Sequence, residues 1–157
     1  MSLESVRAFL AERAPEVEIL HSPTSSATVA LAAEAFGVTP AEIAKTLSLR
    51  VGERVFLVVA RGDARLDNRK ARETFEGKVK MLDLSEVEVL TGHPVGGVCP
   101  FGLARPLEVF CDISLQDFDI VVPAAGSITT AVKISPARMA EITGAEWVNV
   151  CQIPAEV

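Results

Sequence analysis

The sequence predicts a single α/β (α+β-like) domain in which helices flank a mixed, mostly antiparallel β-sheet. Three observations lead there. Segments with apolar residues at helical spacing alternate with segments of period two. A hairpin pattern occupies residues 43–60, and strands are joined by hairpins as often as by helices. The 157 residues suit one hydrophobic core and show no internal repeat, low-complexity tract or linker, so one domain is expected to span 1–157.

The elements follow in order. Leu3, Val6, Phe9 and Leu10 have helical spacing over residues 2–13, and Pro15 marks the end. Residues 17–20 read as a short strand before a Ser/Thr-rich turn at 21–26. A helix over 28–36 stops at Gly37. From residue 43, Leu47, Leu49 and Val51 alternate with Thr46, Ser48 and Arg50, and Gly52 supplies a turn. The six apolar residues 55–60 form a strand expected to be buried on both faces. Asp67 caps a short basic helix to Phe75, with Gly77 as its stop. A strand at 79–82 and a helix at 85–91, capped by Ser85 and ended by Gly92, come next. Strands at 107–111, 120–125 and 131–134 lead to Ser135-Pro136, an N-cap with proline at the first helical position. That helix ends at Gly144, and a last strand covers 146–150.

Composition narrows the function classes. The longest apolar run has six residues, far short of the roughly 18 needed for a membrane span, and the N-terminus lacks a signal-peptide pattern, so a soluble, cytoplasmic protein is expected. Three widely spaced cysteines with no CxxC pair, and only two histidines, predict neither a disulfide framework nor a metal site, and no cofactor motif is present. A net charge of −6 speaks against sequence-independent binding to DNA or other nucleic acid. The charge is unevenly spread, however. Residues 50–80 carry nine basic and five acidic side chains, a net +4 against −10 for the remainder. This block, with Arg61, Arg65, Arg69 and Lys70, is either a contact for local RNA backbone or ordinary solvated surface.

Two features carry candidate chemistry. Lys45 falls on the same strand parity as Ile43, Leu47 and Leu49, the core-facing side. A lysine there must be paired or reach a cleft, where its ammonium can stabilise substrate negative charge. The alternative is a helical turn over 41–45 with Lys45 as a solvated cation at its end. The second feature is the stretch Gly92-His93-Pro94-Val95-Gly96-Gly97-Val98-Cys99-Pro100-Phe101-Gly102. Four glycines and two prolines in eleven residues make a loop that brings backbone N–H groups close to a ligand carbonyl or phosphate. A Cys99–His93 nucleophile–base pair lacks an evident orienting third group, and a buried structural cysteine is the simpler reading. Gly126-Ser127, after an apolar strand, exposes either a reactive hydroxyl or a turn serine.

Four stretches together resemble the YbaK / prolyl-tRNA synthetase editing-domain family. They are the helix from Val29 to Val38 running into Ile43-Ala44-Lys45-Thr46-Leu47, the Arg61-Gly62-Asp63-x-x-Leu66-Asp67 turn, the Gly96-to-Gly102 loop, and Ala125-Gly126-Ser127 followed by Ser135-Pro136 to Gly144-Ala145. The resemblance spans about residues 22–150. It implies a partly closed sheet and hydrolysis of tRNA mischarged with a small amino acid (alanine, serine or cysteine), with proline tRNA the expected acceptor. It implies Lys45 as the catalytic residue. Thr46, Gly96, Gly97, Val98, Cys99, Pro100, Phe101, Gly126, Ser127 and Ile128 are then the substrate-binding candidates, with Val98, Phe101 and Ile128 as pocket walls. The implied partner is the acceptor end of an aminoacyl-tRNA. The rival reading is a non-catalytic module that binds an aminoacyl-tRNA or an aminoacyl-adenylate-like ligand. Two departures bear on which amino acid is taken: the chain has no tyrosine, and Ile128-Thr129-Thr130-Ala131 stands where some relatives carry an acidic residue.

Overall fold

A computed structural model describes residues 2–154. In chain order the elements are helix α1 (Ser2–Arg13), strand β1 (Ile19–His21), helix α2 (Val29–Phe36), strands β2 (Ile43–Val51), β3 (Arg54–Arg61) and β4 (Arg65–Leu66), helix α3 (Asn68–Phe75) and strand β5 (Lys80–Met81). Helix α4 (Leu84–Thr91), strands β6 (Glu108–Asp112), β7 (Val122–Pro123) and β8 (Thr130–Val132), helix α5 (Pro136–Thr143) and strands β9 (Glu146–Val148) and β10 (Cys151–Gln152) complete the chain. The sheet is mixed. Its central hairpin β2–β3 is antiparallel, β6 and β9 add in parallel beyond β3, and the far edge of β2 carries β5 antiparallel and β7 parallel. Bridges Ala124↔Ala131 and Val121↔Ile134 continue it to β8, which pairs with β1.

Strand alternation divides the core. Leu49↔Phe56, Leu47↔Val58 and Lys45↔Ala60 share one face of the hairpin. There Phe75 of α3 joins Phe56 and Phe110, with ring centroids 4.4–5.6 Å apart, and the Arg54 guanidinium lies over the cluster. Leu57 and Val59 face the other way, onto Val6 and Leu10 of α1 and Met139 and Ile142 of α5. The strand of residues 55–60 is buried on both faces, as its continuous apolar character requires: Phe56 to Ala60 are each at 0 % exposure.

Several boundaries differ from those the sequence predicts, each for a local reason. A single 3-10 turn, Pro40–Glu42, is held by Thr39 and Glu42, and the chain is extended from Ile43 onward. Lys45 therefore belongs to a strand and not to a helical turn. Helix α3 ends on Glu76 in the left-handed conformation (φ 57°), not on Gly77. Gly77 is needed for packing instead, since a Cβ there would lie 2.5 Å from Val51 Cγ1. Helix α4 begins at Leu84 with Asp83, not Ser85, at the cap position. The 120–125 segment keeps only Val122–Pro123 as strand, because Pro123 has no N–H to continue the ladder. Strands β4 and β10, which pair with each other, carry no sequence pattern that predicts them. The buried Asp112 carboxylate secures that end, accepting the N–H groups of Ser114, Val150 and Cys151 at 2.8–3.2 Å.

Gly62 seats the β3–β4 turn against the start of β2. A Cβ at Gly62 would come within 2.0 Å of the Pro40 carbonyl oxygen and 3.1 Å of Ile43 Cβ. Gly62→Ala is expected to lower stability by about 1–3 kcal/mol through overpacking, read as a lower urea midpoint with unchanged m-value. An unchanged midpoint would show that the turn yields freely.

Candidate functional site

The site begins as an interruption in the pairing of β2. β7 pairs with that strand at Ile43 and Ala44, and β5 at Leu49 and Arg50. Between them neither strand pairs with β2, and the edge is met only at Ser48. Ser48 turns its carbonyl to this edge, where it accepts the Leu82 N–H at 3.0 Å. Thr46 has the same parity, so its N–H and C=O also point away from β3 and into the interval.

A cleft of ≈ 240 Å³ opens at this interval. Helix α2 supplies one apolar wall with Val29, Ala32 and Phe36, and the glycine-rich loop supplies Gly96 and Val98. Ala124, Thr130 and Ala131 close another side, and Met81, Leu84 and Val95 edge the mouth. Lys45 is the only titratable residue lining it among the described residues. The Thr46 hydroxyl is buried and has no hydrogen-bond partner among the described residues.

Lys45 is half-buried, and its ammonium donates to the Ala64 carbonyl. Burial pushes its pKa down, the Asp63 carboxylate opposes that shift, and Arg65 adds to it. Its side chain leaves the strand on the face shared with Leu47 and Leu49, opposite that of Thr46, and its charged tip is held by the turn that Gly62 seats.

Three loops are clasped behind the cleft. Gly96 (φ 89°) lets the backbone pass Ala27, whose Cβ would be 2.9 Å from a side chain there. Gly97 lies against the Ser127 backbone, where an added Cβ would be 2.8 Å from its nitrogen. The Gly97 carbonyl accepts the Gly126 N–H, and the Gly97 N–H is taken by Pro94. The Gly97 amide is thus not free for a ligand. Ser26 donates to the Ile128 carbonyl through both its N–H and its hydroxyl.

Of the site residues named from the sequence, the structure brings Lys45, Thr46, Gly96 and Val98 to one cleft. The others lie outside its lining. Gly97, Pro100 and Gly126 are buried in the loop clasp, and Cys99 and Phe101 are core residues at 0 % exposure that pack beneath α1. Ser127 bonds to Thr130 at 2.6 Å and lies outside the cleft lining, as does the exposed Ile128. Phe101 and Ile128 are not among the residues that line this cleft. Sequence reasoning missed Phe36, Leu82 and Val87, whose helical or strand periodicity reads as ordinary core.

The Cys99–His93 pair is structural. The sulfur is 3.5 Å from His93 Nε2, but burial pushes the thiol pKa up to about 12. His93 Nδ1 accepts from the Ser2 hydroxyl, and Nε2 donates to the Phe101 carbonyl at 2.7 Å. The nitrogen nearest the sulfur already carries a proton and cannot act as its base.

The basic block is dispersed. Arg61, its side chain only 18 % exposed, is held bidentately by Asp63 and also by Asp117. Lys70 is tied to Asn149 and the Cys151 carbonyl. Arg69, at 88 % exposure, pairs with Glu73 on α3, which covers the sheet face opposite the Thr46 side chain. Arg65 stays exposed near the Lys45 end of the sheet.

Comparison with known proteins adds the following. A family model described as "Aminoacyl-tRNA editing domain" matches residues 23–142. The chain is 47 % identical to "Uncharacterized protein YwhH" of Bacillus subtilis (strain 168), over 97 % of this chain and 98 % of that one. It is 28 % identical to the "Putative Cys-tRNA(Pro)/Cys-tRNA(Cys) deacylase EbsC" of Enterococcus faecalis (strain ATCC 700802 / V583), over 75 % of this chain and 73 % of that one. A crystal structure titled as that of "a putative trans-editing enzyme for prolyl tRNA synthetase" superposes with a TM-score of 0.88 at 28 % identity, covering 96 % of this chain and 97 % of the other.

Burial holds the His93 pKa below its usual value, with the Phe101 carbonyl acting in the opposite sense. The folded state thus keeps this imidazole neutral while the unfolded chain takes up its proton near pH 6.5. Its contribution to stability is full above that pH and is lost as pH falls through the depressed folded value. The urea midpoint is expected to fall from about pH 7.5 to about pH 5.5 more steeply for wild type than for His93→Gln. Parallel pH profiles would remove His93 from the acid response.

Proposed function

The chain belongs to the aminoacyl-tRNA editing domain family, and from that membership we propose that it is a deacylase acting in trans on tRNA mischarged with a small amino acid. Alanine, serine and cysteine are the candidate amino acids, and proline tRNA is the proposed acceptor. The observation that carries this reading is the cleft at the open edge of β2, which joins Lys45 and Thr46 to Gly96 and Val98. Its volume of ≈ 240 Å³ lies below the roughly 300–1,000 Å³ of pockets for drug-sized ligands, in keeping with a small aminoacyl group. Synthetic sites separate side chains that differ by one methylene by only about 1–3 kcal/mol, so a second, size-limited site is the physical remedy for such errors.

In the proposed reaction, water attacks the ester carbonyl, a tetrahedral oxyanion forms, and the bond to the ribose oxygen breaks. The products are a free amino acid and a free tRNA end. Lys45 is the proposed catalytic residue: it is the one titratable residue among the described residues that line the cleft, and in the proposed reaction its ammonium leaves the Ala64 carbonyl for the oxyanion. One such donor is worth about 3–4 kcal/mol at the transition state. The cleft offers no carboxylate, imidazole or thiol among its described lining residues, so the attacking water gives its proton to a group of the substrate: its amine, its side chain or the ribose hydroxyl. Arg65 is the proposed contact for RNA backbone, being exposed and close to the Lys45 end.

The test is a deacylation panel of tRNAs charged with alanine, serine, cysteine and proline. Wild type is expected to release at least one small non-cognate amino acid, and Lys45→Ala to be about 10²–10³-fold slower in kcat. Equal rates for the two would remove Lys45 from the mechanism. Tight binding without turnover on any substrate would establish a binding module instead.

A further inference from the structure

The Arg61-Gly62-Asp63 turn lines no part of the cleft, yet it receives the ammonium of Lys45. The Ala64 carbonyl takes that ammonium, and the Ala64 N–H closes the turn on the Arg61 carbonyl at 2.9 Å. Arg61 is fixed through both backbone and side chain. Its N–H donates to the Ser114 hydroxyl at 3.2 Å, and its guanidinium lies 5.4 Å from the Phe118 ring centroid. Nε and Nη2 donate to the two Asp63 oxygens at 2.6 and 2.9 Å, and Nη1 donates to Asp117 at 2.8 Å. A guanidinium engaged in this way serves the turn and not an RNA phosphate. One carboxylate would balance its charge, but two hold it. Arg61, Asp63 and Asp117 together leave one surplus negative charge beside the turn that seats a cation.

A half-buried ammonium loses hydration and keeps its proton only where an anion compensates. Of the groups around Lys45, Arg65 on β4 opposes the charge, and the Cys151 thiol on β10 is neutral, its pKa pushed up to about 12 by burial. Lys70 of α3 is turned to Asn149 and the Cys151 carbonyl, and the Asp112 carboxylate accepts three backbone N–H groups. Asp63 is the carboxylate that acts on Lys45, and Lys45 in turn helps Arg61 to hold the Asp63 carboxyl below its usual range. We propose that Asp63 is the positioning residue of Lys45: gripped by Arg61, its carboxylate fixes the turn that receives the ammonium and serves as its counterion. Lys45 is thereby charged before substrate arrives, as an oxyanion donor has to be. The assignment rests on the deacylase reading for the reaction that Lys45 serves, and goes beyond it in naming the group that readies the lysine. Asp117 grips the same guanidinium from the other side without acting on Lys45, which makes it the control.

The test follows Lys45 directly by the NMR signal of its Cε–Hε group, assigned through its loss in Lys45→Arg, during a pH titration. The pH profile of deacylation is measured alongside, with the uncatalysed ester hydrolysis subtracted. Asp63→Asn keeps an acceptor for Arg61 at a partly exposed position and is expected to fold. Its Lys45 is expected to release its proton at lower pH than in wild type. Activity needs the ammonium, so removing the counterion moves the alkaline fall in rate to lower pH. Relative to wild type, kcat of Asp63→Asn is expected to be roughly threefold or more lower at about pH 9 than at about pH 7, with KM within about twofold. Asp117→Asn is expected to lower the urea midpoint and to leave the Lys45 titration and the pH profile as in wild type. Asp63→Glu is expected to restore the wild-type titration. A Lys45 titration unchanged by Asp63→Asn overturns the assignment. Equal displacement by Asp63→Asn and Asp117→Asn overturns it too, making Asp63 a structural group only. Wild-type Lys45 already neutral at about pH 8 overturns it without any variant having to fold. If the titration moves as expected but wild type cleaves no charged tRNA, the deacylase reading falls and the Asp63 assignment stands.

Discussion

A strand edge shared by two short neighbours is left bare wherever those neighbours fail to meet, and the rest of this structure is arranged around such a place. β7 leaves β2 after Ala44 and β5 joins it only at Leu49. An unpaired edge inside a protein carries a cost that a continuous ladder avoids, because backbone N–H and C=O groups are obligatory partners. The fold keeps the interval open by holding what surrounds it. β3 pairs along β2 from Ala44 to Val51 on the other side, helix α2 and the glycine-rich loop form walls, and Gly97 and Gly126 lock the loops together through a backbone hydrogen bond.

The charged group of the site is subject to the same economy. Lys45 sits on the strand face that also carries Leu47 and Leu49, and it would be an unpaired buried cation without the Ala64 carbonyl. Burial weakens its hold on the proton and Asp63 restores part of it. The turn that provides Ala64 depends on Gly62, so a backbone position outside the cleft governs where the ammonium rests. On the opposite side of the loop, Ser2, His93 and Phe101 form a buried hydrogen-bonded chain that pins α1 to the glycine-rich segment. This chain accounts for the histidine and cysteine of the loop as structural groups.

Much of the fold was legible in the sequence because its signals are local. Asp67 and Ser135 each cap the helix they precede, with a side-chain oxygen accepting a backbone N–H. Gly37, Gly92 and Gly144 end helices in the left-handed conformation. The hairpin around Gly52 follows from period two. Strands β4 and β10 are two residues each and owe their pairing to tertiary contacts and the Asp112 carboxylate, which no spacing announces. At the site, Lys45 and the glycine-rich loop were visible as anomalies, but the loop's role was only half legible. Glycine and proline content marks a close backbone approach without saying what is approached. For Gly97 the partner is Ser127, and for Gly126 it is Ser2 and Val6, so these glycines serve packing behind the cleft. Thr46 was named among the candidates, but its place on the part of β2 that neither β5 nor β7 pairs is a property of the sheet that no residue pattern records.

The central claim is that the cleft beside β2 receives the aminoacyl group of a charged tRNA. Amide chemical-shift mapping during titration with an amide-linked alanyl-adenosine analogue addresses it directly. The account predicts that the largest perturbations fall on Thr46, Ser48, Gly96 and Val98, with Arg69 and Phe75 on α3 unaffected. Perturbations centred on α3 and the opposite sheet face, with Thr46 unmoved at saturation, would contradict it.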